Sequence, residues 1–240
     1  MAKPKVLISD PISQRGVDAL ADGGHLDVTF KPGLPHDELL KLIPDYAALV
    51  VRSQTKVGPD VIAAAKNLKA IGRAGVGVDN VDVDAATQRG IVVMNTPGGN
   101  TVSTAEHAFS LLVSVARKIP MADASVKSGK WDRKSFEGTE LNAKTLVVLG
   151  MALLVTEVAN AALSFGIRVL SYEPYLSEAR ARSLQVEHVE NLDEAIPQAD
   201  FNTMHMPLTK ETRHMLDAKR LKSMKKGARV VNCARGGLID

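Results

Sequence analysis

Few residues in this 240-residue chain stand in patterns that could do chemistry. Gly75-Val76-Gly77 can turn successive backbone N–H groups onto an anion, as a nest for an acid. The same three residues also suit a tight turn whose glycines need a positive φ. Cys233 is the single cysteine and has no His-and-acid context for nucleophilic or redox work. His107 sits in a long helical pattern and reads as structural, whereas His205, beside Met206, reads as orienting its loop rather than transferring a proton. No H-E-x-x-H and no cysteine pair supports a metal site, and no G-x-x-x-x-G-K-[ST] supports nucleotide hydrolysis. Lys219, Arg220, Lys222, Lys225 and Lys226 make residues 210–229 basic, but without an aromatic residue for stacking the run reads as a solvated helix face, not a nucleic-acid contact.

Short apolar runs alternate with helical patterns and must position these residues. Val6-Leu7-Ile8 precedes an amphipathic stretch from Ser13 to Ala21, and Leu49-Val50-Val51 precedes a helix at 59–66, where Pro59 suits a first turn. Ala70-Ile71-Gly72 and Ile91-Val92-Val93-Met94 continue the rhythm. Residues 101–119 form the longest helical pattern, with Ser103 and Glu106 at capping-box spacing, so the helix is expected to begin near Ser103. A polar stretch at 120–138 holds the only tryptophan, Trp131, and a boundary between lobes is placed near the long helix. A second series follows, with strands expected at 145–149, 167–171, 186–189, 201–204 and 229–231, and a helix ending near Phe165, where Gly166 supplies the stop. Strand and helix in alternation give an α/β fold with parallel sheets and right-handed crossovers.

Hydrophobic residues are 45% and charged residues 24% of the chain, the mix of a folded domain rather than a disordered one. The net charge of +3 does not argue for nucleic acid or a membrane surface. The N-terminal apolar stretch is too short for a signal peptide, and the run from Leu146 to Val155 is too short to span a bilayer. The lone cysteine fits a reducing compartment, and a cytoplasmic location is expected.

Several long motifs in collinear order resemble the D-2-hydroxyacid dehydrogenases. They are Arg73-Ala-Gly-Val-Gly-Val-Asp-Asn, Asn95-Thr-Pro-Gly-Gly-Asn-Thr, Ala105-Glu-His, Gly129-Lys-Trp-Asp-Arg, Gly138-Thr-Glu-Leu-Asn and Asn232-Cys-Ala-Arg-Gly-Gly. The resemblance implies two flavodoxin- or Rossmann-like lobes, a substrate lobe over residues 1–100 and a nucleotide lobe over 101–240. It implies hydride transfer from a D-2-hydroxy acid, such as 3-phospho-D-glycerate, to NAD, the step that opens serine biosynthesis. It places the general acid/base His and its carboxylate partner beyond Asp240, so that the second lobe is expected to be incomplete and its activity impaired. Arg235 then holds the substrate carboxylate and carbonyl through a bidentate contact; the bland alternative is an Arg that neutralises a strand end. Arg52, Gly75, Val76, Gly77 and Asn100 are implied as substrate contacts, with loop caps as the alternative for Arg52 and Asn100. Arg133 lies in a motif that can approach a neighbouring subunit, and a homodimer interlocked through the long helix is expected.

Gly150, Leu153, Leu154, Glu173, Met206, Cys233, Ala234 and Arg235 fall on the implied cofactor site. A dinucleotide loop reads G-x-G-x-x-G: its glycines permit the turn, the approach of backbone to pyrophosphate and close helix packing. Here Gly150 keeps the first place, Ala152 and Val155 take the other two, and Leu153-Leu154 replace an Arg-Ile pair. Glu173 stands where a carboxylate holds the ribose hydroxyls and repels a 2′-phosphate, which favours NAD. Met206 replaces a Thr. These changes share a direction, from small or polar to apolar, so a non-catalytic scaffold or binding module with a closed cofactor groove is the competing expectation.

Overall fold

A computed structural model of the chain describes residues 2–150, 153–174 and 176–240, with the side chains of 153–155 outside that description. Ala152 and the side chains of Leu153, Leu154 and Val155 therefore lie outside the described residues. The chain divides into two units, Met1–Gly99 and Asn100–Asp240.

In the first unit, the strands are β1 (Lys5–Ile8), β2 (Asp27–Phe30), β3 (Ala48–Val51), β4 (Ala70–Arg73) and β5 (Val92–Met94), and the helices are α1 (Gln14–Ala21), α2 (His36–Leu42), α3 (Pro59–Ala64) and α4 (Val83–Gln88). All strands pair in parallel in the order β2-β1-β3-β4-β5. Period-two alternation sends Leu7, Leu49, Val51 and Ile71 into one buried cluster with Leu39, Val61, Ile62 and Ala86 of the helices. Ser13 caps α1 by accepting from Gly16 N, and Pro59 begins α3, the latter as the sequence predicts. β2 and α2 were not expected: β2 carries a half-exposed edge pattern with no fully buried residue, too weak a signal to separate from a loop.

In the second unit, α5 (Thr101–Arg117) and α6 (Ile119–Lys127) lead into β6 (Thr145–Leu149), α7 (Leu153–Ser164), β7 (Arg168–Tyr172), α8 (Glu178–Ser183), β8 (Glu187–His188), α9 (Leu192–Ala195), β9 (Phe201–Met204), α10 (Ala218–Ser223) and β10 (Arg229–Asn232). The parallel order β10-β9-β6-β7-β8 starts at the centre and winds both ways. Such a sheet is covered on both faces, so β6 is buried at every position. Leu146 and Val148 face α5 and α7, where Ala105, Ala108, Leu112 and Ala116 supply a small-residue stripe. Val147 and Leu149 face the opposite layer with Leu192, Ile196 and Leu216. Both sheets establish the two-lobe α/β class.

Two expectations fail here. The capping box at Ser103 does not form: α5 begins two residues earlier at Thr101, and the Ser103 hydroxyl donates to the Asn100 carbonyl at 3.2 Å. The stretch at 120–138 is not polar loop throughout, because α6 occupies its first part. Lys118 takes a left-handed φ of 55°, which ends α5, and Pro120 then sits in the first turn of the next helix, where a proline costs nothing.

Candidate active site

Parallel sheets bind ligands at the carboxyl ends of their strands, where the winding reverses. In the second unit that point lies between β6 and β9. Gly150 follows β6 with φ +93°, and a Cβ there would stand 3.1 Å from the His205 carbonyl carbon and oxygen and 3.2 Å from Met206 N. Both the left-handed conformation and the close approach of the next strand end require glycine. α7 begins at Leu153, so strand, turn and helix N-terminus stand in the order a dinucleotide phosphate needs.

Glu173 follows β7, next to β6 in the sheet, and its carbonyl accepts from His188 Nε2 at 3.1 Å. A left-handed Gly150, a following helix and a carboxylate on the neighbouring strand end fit a dinucleotide.

Met206 is 8% exposed and belongs to the buried core with Leu149, Met204 and Leu238.

His205 accepts or donates one hydrogen bond, Thr203 Oγ1 to Nε2 at 2.9 Å, and burial lowers its pKa to about 4. It is neutral near pH 7, and its ring is tied to the end of β9 through Thr203.

Cys233, Ala234 and Arg235 follow β10 at the sheet edge. Burial pushes the Cys233 thiol up, away from the reactive thiolate. The turn is pinned by Asn232, whose Nδ2 donates to Arg235 O at 2.8 Å while its Oδ1 accepts from Ala234 N at 3.0 Å. Arg235 is half-buried and extended, and one of its five N–H donors goes to the Ala234 carbonyl at 2.9 Å.

In the first unit, Arg52 follows β3 and the Gly75–Gly77 loop follows β4, and these strands are neighbours with Val51 opposite Arg73. Gly75 and Gly77 do not adopt a positive φ, which removes the tight-turn reason for them. A Cβ at Gly75 would instead collide with the Arg73 guanidinium folded against it. The Gly75 N–H donates to the Arg73 carbonyl at 2.8 Å. Val76 is exposed, and its carbonyl is held by Asn95 Nδ2 at 2.7 Å. Arg73 Nε is buried with no partner among the described residues, which marks a cationic group the sequence reading passed over. Asn100, expected with the substrate contacts of the first lobe, falls instead in the second unit, at the N-terminus of α5 without a side-chain cap bond. Asp10 was also missed. It lies two residues past the end of β1 at 1% exposure, a polar residue where an apolar one would continue the run.

The model for the D-isomer specific 2-hydroxyacid dehydrogenase catalytic domain matches residues 6–234. A D-3-phosphoglycerate dehydrogenase of Archaeoglobus fulgidus is 51% identical over 236 residues, covering 98% of this chain and 44% of the relative. Its namesakes in Methanocaldococcus jannaschii and Homo sapiens are each 48% identical over 98% of this chain, which covers 45% and 44% of them. The chain thus spans somewhat under half the length of these relatives. Among solved structures, a glyoxylate reductase of Paecilomyes thermophila superposes with TM-score 0.91 at 28% identity, over 100% of this chain and 76% of that one. An NAD+-bound 3-phosphoglycerate dehydrogenase of Entamoeba histolytica superposes with TM-score 0.83 at 27% identity, over 100% of this chain and 74% of that one. Sequence match across nearly all of the chain and the same two parallel sheets lead to one assignment: the chain belongs to the D-isomer specific 2-hydroxyacid dehydrogenases.

Proposed function

We propose that this chain carries the substrate- and nucleotide-binding parts of a D-3-phosphoglycerate dehydrogenase, which oxidises 3-phospho-D-glycerate at C2 and opens serine biosynthesis. The observation that carries the reading is the left-handed Gly150 turn between β6 and α7, with Glu173 on the adjacent strand end. In this reading residues 101–240 hold NAD and residues 1–100 hold the acid. NAD, when bound, supplies the hydride acceptor. Gly150 leaves room for its phosphates, and Glu173 accepts from the ribose hydroxyls and disfavours NADP. The backbone of Leu153, Leu154, Met206, Cys233 and Ala234 borders the same strand ends. Arg235 orients the substrate carboxylate. Arg52 and the N–H groups of Val76 and Gly77 hold acid oxygens, and Asn100 is a further substrate contact in this reading. Two arginines on neighbouring strand ends, Arg52 and Arg73, suit a substrate that carries a phosphate as well as a carboxylate.

The partners in this reading are a small-molecule acid and a second copy of the chain, with neither nucleic acid nor a membrane involved. Val102, Val115, Ile119, Met121, Val126 and Trp131 of α5, α6 and the following loop are exposed, Trp131 by 83%. An apolar surface of this kind marks an interface. A light-scattering mass equal to twice the chain supports the homodimer; a mass equal to one chain removes it. No helix among the described residues is long and apolar enough to cross a membrane. A cytoplasmic setting accords with the single cysteine.

The second reading, a scaffold that has lost dinucleotide binding, is favoured by Ala152 and Val155 in place of two glycines. Calorimetric titration with NADH separates the two. Binding in the micromolar range is expected and sinks the scaffold. No heat at millimolar NADH, with binding restored on returning the loop to G-x-G-x-x-G, overturns the dehydrogenase reading.

A further inference from the structure

Asp10 is a buried carboxylate that the reading above leaves idle. It stands one residue past the Ser9 that follows β1, at the point between β1 and β3 where the winding of the first sheet reverses. Its Oδ2 accepts from the backbone N–H of Arg52 at 2.6 Å, of Gln54 at 3.2 Å and of Thr55 at 3.2 Å. Its Oδ1 accepts from Thr55 N at 3.0 Å and Thr55 Oγ1 at 2.5 Å. Sheets of this order use that crevice, with its converging N–H groups, for a ligand. Here the chain's own carboxylate takes those donors, so an external anion in this unit must be held by something else.

The other side of the same turn is held by Asn80. Its Nδ2 donates to the carbonyls of Arg52 at 2.8 Å and Thr55 at 2.7 Å, and its own carbonyl accepts from Val57 N at 2.7 Å. Asn80 closes the segment that begins with the Gly75–Gly77 loop, so one side chain joins that loop to the Arg52 turn. The Arg52 guanidinium is exposed, with NH1 donating to the Pro11 carbonyl at 3.3 Å. Asp10 bonds to the Arg52 backbone, and no ion pair among the described residues joins the two side chains. The guanidinium therefore keeps its charge for a ligand while its backbone is fixed from both sides.

We propose that Asp10 and Asn80 are positioning residues that clamp the 52–55 turn, from its N–H and C=O sides, so that Arg52 meets the anionic group of the acid substrate in a preset geometry. The inference rests on the reading of the first unit as the acid-binding one. Preset geometry matters because a bidentate guanidinium contact is directional, and a mobile turn spends part of the binding energy on ordering. Asp10→Asn keeps the shape but turns an N–H toward groups that are themselves donors.

The test is a double-substitution cycle on the 240-residue chain, read by calorimetry with 3-phosphoglycerate and separately with NADH. Asp10→Asn is expected to weaken 3-phosphoglycerate binding about 10-fold and Asn80→Ala about 5-fold, with NADH affinity unchanged within about twofold. In an Arg52→Ala background, Asp10→Asn is expected to cost less than about twofold, because residues that act through one another are not additive. An unchanged 3-phosphoglycerate affinity in Asp10→Asn, or the same loss in the Arg52→Ala background, overturns the clamp and leaves the acid-binding reading intact. If Asp10→Asn loses its circular dichroism and NADH binding together, the cycle is decided by Asn80→Ala with Arg52→Ala. An unsubstituted chain that binds NADH but not 3-phosphoglycerate overturns the acid-binding reading and the clamp with it.

Discussion

Arg235→Ala is expected to lower kcat/KM for 3-phosphoglycerate oxidation about 10²–10⁴-fold, the loss of two charge-assisted hydrogen bonds of roughly 1.5–3 kcal/mol each. The loss should be shared by kcat and KM, because a guanidinium that both anchors the carboxylate and orients the carbonyl acts in the ground state and in the transition state. Arg235→Lys should recover only part of it, since an ammonium cannot reproduce the planar fork. The fold should not change: the turn is built by Asn232 through backbone groups that either variant retains. Steady-state NADH formation, with circular dichroism as the control for folding, checks this. A change of less than about threefold in Arg235→Ala would place Arg235 outside the site and leave it as the neutraliser of a strand end.

The second large effect is a stability loss in acid traced to His205. Burial holds its folded pKa at about 4, against an ordinary value of 6.5. The unfolded chain therefore takes up a proton that the folded chain refuses. Above pH 6.5 both states are neutral at this residue and the term vanishes. As the pH falls from 6.5 to 4 the unfolded state is favoured increasingly, and below 4 the loss levels off. The full loss is on the order of 3 kcal/mol. Denaturant unfolding followed by circular dichroism at pH 7 and pH 4 should show it, and His205→Gln, which cannot titrate, should reduce the difference between the two pH values by that order. Equal slopes in the two proteins would mean that His205 is protonated in the folded state.

How far the residues alone lead differs from element to element. Leu146 to Leu149 read as a strand because a parallel strand covered on both faces is apolar at every position, and the structure buries all of them. β2 was passed over because an edge strand with one half-covered face lacks that run. α6 lies at the start of a stretch read only as polar; Pro120 sits in its first turn, where a proline needs neither an N–H nor a preceding turn. Gly75 has no positive φ, so the tight-turn reason for it does not hold; the Arg73 guanidinium lies against it instead.

The sequence by itself determined the family, the alternation of strand and helix, and the place of Gly150, Glu173 and Arg235 at strand ends. These follow from local pattern and collinear motif, which need no third dimension. Tertiary structure alone decided which way a side chain points and what long-range partner it finds. Met206, four residues from Asn202 along the chain, turns into the core because residues of one strand and its exit alternate between faces. Asp10 meets Arg52, Gln54 and Thr55 across more than forty residues of sequence because parallel β1 and β3 lie side by side, and no spacing within the chain encodes that contact before the sheet has formed.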